Sequence, residues 1–174
     1  MALRKHPTIA CCGIDCGLCP RYYTEGKSRC PGCCGEGFEH MRPLCPITNC
    51  CVKKRGLEIC AECVEFPCER YDRESTHKDS FVTHKRMMPN QKLIAEIGLD
   101  AFLEQQAERI AFLEDALEHH NNGRNKSYFC LAASLLSING LKQALSLAKQ
   151  GEDLREVLKR TADEEGQELA LEKR

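Results

Sequence analysis

The chain has 174 residues, is 42% hydrophobic and 29% charged, and carries a formal net charge of −1. That size holds one domain or two small ones around a modest core. The near balance of charge argues against general electrostatic binding to nucleic acid or acidic membrane, which select a basic face. No stretch has the length and apolarity of a membrane span or of a secretory leader, so the expected location is cytoplasmic, with no membrane partner.

In chain order, residues 1–88 come first as a cysteine-rich unit. Thirteen of the 14 cysteines lie between Cys11 and Cys68, and five of the seven prolines and seven of the 12 glycines precede Leu57. Such a stretch buries too little apolar area to offset its ordering entropy, so cross-links are expected to hold it. In a reducing compartment clustered thiols point to metal rather than to disulfides. The expected fold is a small metal-stabilised module of loops, short helices and short hairpins.

Residues 89–174 read as an all-α half. A short helix is expected over Gln91 to Ile97, ending at Gly98. A longer one follows, with Leu99, Phe102, Leu103, Ala107, Ile110, Leu113 and Leu117 on its inner face, Asp100 as cap and Asn122-Gly123 as stop. Another helix begins after Ser127 with Leu131, Leu135 and Leu136 inward, breaks at Ser137-Ile138-Asn139-Gly140, and resumes through Leu141, Leu145 and Ala148. A charged helix over Glu152 to Leu171, docking through Leu154, Val157 and Leu158, ends the chain.

The cysteine spacings carry the chemistry. They are Cys12-x3-Cys16-x2-Cys19, Cys30-x2-Cys33, Cys45-x4-Cys50 and Cys60-x2-Cys63-x4-Cys68, with Cys11, Cys34 and Cys51 as neighbours of those positions. A C-x2-C pair lets a tight turn aim two thiolates at one ion, and the glycines and proline inside Cys16-Gly-Leu-Cys19 and Cys30-Pro-Gly-Cys33 suit such turns. Zinc is the first expectation, because it makes fewer demands on fold and on isolation from water. A 4Fe-4S cluster, which also takes four thiolates, is the alternative. Spacing alone does not choose between them, nor does it say which cysteines share an ion. Cys12-x3-Cys16-x2-Cys19 also has the spacing of radical S-adenosylmethionine enzymes, but nothing after it supplies their βα barrel.

The run Cys12-Gly-Ile-Asp-Cys16-Gly-Leu-Cys19-Pro20, then Cys30-Pro-Gly-Cys33, Cys45-Pro-Ile-Thr-Asn-Cys50 and Cys60-Ala-Glu-Cys63-Val-Glu-Phe66-Pro67-Cys68, resembles the family called domain of unknown function 3795 over about residues 9–71. The resemblance implies a cysteine-rich protein presumed to bind metal, with no assigned reaction. Carried over by position, the implied ligands are Cys12, Cys16, Cys19, Cys30, Cys33, Cys45, Cys50, Cys60, Cys63 and Cys68.

Outside that region, Arg124, Lys126, Ser127 and Cys130 form a candidate anion or thiol site. If Ser127 caps its helix, Cys130 falls at the third position, near free backbone N–H groups. The plainer reading makes Cys130 a buried filler. His6 and His40 are each read as surface residues before ligands, and His119 and His120 as a helix end. Lys53-Lys54-Arg55 beside the knuckles, and a helix-turn-helix reading of 131–151, leave nucleic-acid contact as the least favoured role, behind an unidentified protein partner. The sequence leaves open whether the chain is an enzyme. A structural or interaction role ranks above an iron-sulfur redox or sulfur-handling activity.

Overall fold

The computed structural model describes residues 3–38, 45–74 and 79–172. The cysteine-rich stretch is a set of loops, single 3-10 turns at Cys16–Leu18, Gly26–Ser28 and Cys60–Glu62, and a helical passage. That passage is α1 (Pro46–Thr48), which runs on as a π-helical turn over Asn49–Lys54. Helix α2 (Glu69–Glu74) closes the stretch. The short hairpins expected here do not form: among the described residues pairing is limited to one isolated antiparallel bridge, Ile9 with Asp15. The backbone instead satisfies its polar groups in turns and in single bonds such as Gly17 N–H to the Thr8 carbonyl (2.7 Å).

The remainder is helical: α3 (Met87–Ile97), α4 (Leu99–His119), α5 (Lys126–Leu135), α6 (Ile138–Lys149) and α7 (Leu154–Glu164). Among the described residues no helix is long and apolar enough to cross a membrane. Helix α3 starts a turn earlier than its periodicity predicts, because Pro89 falls in its first turn, where a missing N–H costs nothing. The break between α5 and α6 falls at Leu136 and Ser137, ahead of Gly140. Ser137 caps α6 by accepting the Gly140 N–H at 2.9 Å, while Gly140 sits inside the helix, where a Cβ would overlap the Glu165 carboxylate. Helix α7 stops well short of Leu171, since Gly166 takes a left-handed φ of 63° and Gln167 N–H returns to the Ala162 carbonyl at 2.8 Å.

On α4 the inner face departs from the apolar stripe. Phe102 and Leu113 are buried as the stripe predicts, but Ala107 is exposed, while Gln106, Phe112 and Ala116 face inward. Asp100 lies in the first turn of α4 without capping it, the N-cap being Gly98.

Three apolar clusters hold the molecule. The largest joins α4 to α7 through Phe112, Leu113, Phe129, Leu136, Leu141, Leu154 and Leu158, and takes in Leu18 from the Cys16–Leu18 turn. A second collects Cys11, Cys12, Cys33, Cys34, Ile47, Cys51 and Tyr71. The third links the two halves: Ile9 and Ile59 from the cysteine-rich stretch meet Ile94 and Phe102 from α3 and α4. The expected boundary at residue 88/89 thus falls inside α3, whose Asn90 and Gln91 are buried against the loop 11–15.

Candidate metal centre

All 14 cysteines are free thiols. Two C-x2-C pairs are each carried by a single 3-10 turn. Cys19 N–H closes on the Cys16 carbonyl at 3.2 Å, and Cys63 N–H on the Cys60 carbonyl at 2.9 Å. Such turns set both side chains of a pair on one side of the backbone.

The first turn meets the pair Cys30 and Cys33 across the segment Pro7–Thr8. Gly17 N–H binds the Thr8 carbonyl (2.7 Å), Cys33 N–H binds the Pro7 carbonyl (2.9 Å), and Cys30 N–H binds the Arg21 carbonyl (2.9 Å). Gly32, between Cys30 and Cys33, has a φ of 84°, and a Cβ there would overlap the Pro7 carbonyl, so only glycine allows this approach. Burial pushes the Cys16 thiol well up, and the facing sulfurs of Cys33, Cys19 and Cys30 add to that rise. Burial also raises Cys19, against which the backbone N–H groups of Arg21 and Tyr22 act.

The second turn lies beside Cys50, Cys51 and Cys68 on the wall of an open cavity of about 830 Å³. The π-helical turn separates one doublet. Cys50 is half-buried toward the cavity, while Cys51 is only 2% exposed and its thiol donates to the Leu57 carbonyl at 3.5 Å. Between the two groups run the buried Cys11, Cys33 and Cys51, with the half-buried Cys60 at their edge. Hydrogen bonds from the Cys11 and Cys51 thiols hold Cys60 down to about 4, and the same contacts push Cys51 up. The Thr48 hydroxyl faces both Cys11 (3.6 Å) and Cys33 (3.8 Å).

Two further predicted ligands are placed differently. Cys45 uses its sulfur as the N-cap of α1, accepting Thr48 N–H at 3.5 Å. Cys12 is buried beside Cys11, Cys33 and Cys16, and burial raises its thiol well above the ordinary value. His40 lies outside the described residues, and His6 touches Glu58 through its backbone N–H at 2.9 Å. Among the described residues no three Cys, His, Asp or Glu side chains stand close enough together to hold an ion as they are oriented.

Donor chemistry and buried polar atoms nevertheless suit a thiophilic metal. Arg4 is 6% exposed, with Nε and Nη2 lacking hydrogen-bond partners beside Cys33 and Cys11. A cation so placed is costly unless negative charge faces it, and thiolates provide that charge in addition to the 3.4 Å ion pair with Glu58. The Tyr71 hydroxyl, buried close to the Cys60 sulfur, likewise has no partner at ordinary hydrogen-bond geometry.

Neither signal was visible in the sequence. Arg4 and Tyr71 lie outside the cysteine spacings, and only folding brings them to the sulfurs.

The other candidate site does not assemble. The helix begins at Lys126 with Asn125 as N-cap, so Ser127 is exposed in its first turn and Cys130 lies a full turn inside. Lys126 donates to the Tyr23 carbonyl at 3.0 Å, Arg124 is exposed, and burial pushes the Cys130 thiol up to about 12.

Fold and thiols together define a cysteine-rich helical protein whose first half is built around sulfur. Over residues 8–73 the chain matches the model of a family described as protein of unknown function (DUF3795). No curated protein and no solved structure matches the chain.

Proposed function

We propose that the chain is a metal-binding protein in which Cys16, Cys19, Cys30 and Cys33 hold zinc in a structural role. In this reading the helical half docks on the metal-organised half, and the two present a face to a protein partner in the cytoplasm. The observation that carries it is the meeting of the two C-x2-C pairs across Pro7–Thr8: Gly17 N–H and Cys33 N–H bond the Thr8 and Pro7 carbonyls, and Cys30 N–H bonds the Arg21 carbonyl two residues past Cys19. Rotation of the thiols about their Cα–Cβ bonds completes the tetrahedron, with sulfur about 2.3 Å from the ion. The buried Arg4 guanidinium offsets part of the negative charge of the thiolates.

Because an unfolded chain offers no preformed site, metal affinity becomes folding free energy. A strong chelator is therefore expected to expose residues 3–68 to protease while far-ultraviolet circular dichroism retains much of the helix signal. Protease resistance unchanged after metal removal would overturn the reading. Metal analysis and an ultraviolet-visible spectrum of anaerobically purified protein identify the metal: stoichiometric zinc without colour is expected, and iron with visible absorption would replace zinc by a cluster on the same sulfurs.

A further inference from the structure

We infer that the chain holds a second zinc ion, at the open cavity, on Cys50, Cys60, Cys63 and Cys68, with the Tyr71 hydroxyl as hydrogen-bond donor to the Cys60 sulfur. This rests on the reading that the chain binds metal, and it assigns a separate set of ligands. Four cysteines from three different elements share one wall: Cys50 from the π-helical turn, Cys60 and Cys63 from one 3-10 turn, and Cys68 from the residue before α2. All four are half-buried. The neighbouring Cys51 also borders the cavity, but it is buried and its thiol is engaged with the Leu57 carbonyl and with the Cys11 and Cys60 sulfurs, so the half-buried Cys50 is the member of its doublet assigned to the ion.

The second observation is Tyr71. It is 3% exposed, it lines the same cavity, its ring meets Phe66 edge-on at 5.0 Å, and its hydroxyl faces the Cys60 sulfur with no nitrogen or oxygen partner. A buried hydroxyl needs an acceptor, and a metal-bound thiolate is a stronger one than a neutral thiol. Of the ten implied ligands, four are then assigned to each ion, Cys45 caps α1, and Cys12 is buried beside Cys11 and Cys16.

The two sites differ in access. The first set includes Cys33, which is only 5% exposed, whereas the second is half-buried throughout and lines an open cavity of about 830 Å³. A chelator that must contact the ion to remove it reaches the cavity site first, so that ion exchanges faster.

The test uses the zinc-loaded full chain challenged with the chromogenic chelator 4-(2-pyridylazo)resorcinol. Release of about two equivalents in a fast and a slow phase is expected, on four thiolates per ion. Cys63→Ser removes one equivalent together with the fast phase, and Cys19→Ser removes one equivalent together with the slow phase. Tyr71→Phe keeps both equivalents but weakens the fast-releasing ion about 10-fold, the usual cost of losing an outer-shell partner. A wild type holding a single equivalent that Cys19→Ser abolishes would overturn the second site and leave the first intact. A wild type holding no metal would overturn both. Where Cys63→Ser fails to fold, iodoacetamide labelling of the wild type read by mass spectrometry serves instead. Zinc is expected to protect Cys50, Cys60, Cys63 and Cys68 together, and labelling of these four unaffected by zinc would overturn the assignment.

Discussion

Asp15 is the residue on which the two halves are most directly bonded. It is 5% exposed, and its two carboxylate oxygens each accept one amide N–H at 2.8 Å, from Asn90 of α3 and from Gln106 of α4. Burial raises its carboxyl, and those two bonds oppose the rise. Asp15→Ala leaves one N–H of each amide unmatched, so a loss of about 1–3 kcal/mol for each orphaned donor is expected in urea denaturation. Cys130 supports a prediction in pH. Its folded value of about 12 lies above the unfolded thiol value of about 8.5, so the unfolded chain loses this proton first. Its contribution to stability is complete below about pH 8.5 and falls as pH rises toward 12, by up to about 1.4 kcal/mol per unit. Comparing the alkaline slope of the wild type with that of Cys130→Ala isolates it: the variant's curve should be the flatter.

At the scale of elements, the junction between α5 and α6 rests on Ser137. Its hydroxyl accepts Gly140 N–H and donates to Glu165 beyond α7, whose carboxylate also takes the Ser137 backbone N–H at 2.8 Å. Ser137→Ala is expected to cost about 1 kcal/mol, the usual price of a lost N-cap, and to lower the thermal midpoint. Helix existence was legible in the sequence from period and punctuation, as with Gly98 and the apolar positions of α4. Which residues of α4 face inward was not. Gln106 is buried because Thr8 and Asp15, about ninety positions earlier in the chain, supply its partners at 2.8 to 3.1 Å. A periodicity argument sees the polarity of Gln106 and not those partners, so it favours Ala107, which the structure leaves exposed.

For the whole molecule, the seam of Ile9, Ile59, Ile94 and Phe102 makes the stability of one half depend on the other. Ile59 is 0% exposed and directly precedes the Cys60 turn, so Ile59→Ala opens a cavity at the junction. A cost of about 2–5 kcal/mol is expected, read by calorimetry as a single transition moved to lower temperature. Two resolved transitions would show the halves to be independent. The sequence by itself determined that the first half is cysteine-rich and turn-rich and that the second is helical. Cysteine density, turn residues and apolar period are local properties of the chain, and each limits what a segment can bury. Only the tertiary structure decided which thiols meet, that the Cys51 thiol bonds the Leu57 carbonyl, and that Arg4 and Tyr71 stand beside the sulfurs. Those outcomes depend on hydrogen bonds and packing between segments distant in sequence, where spacing carries no information.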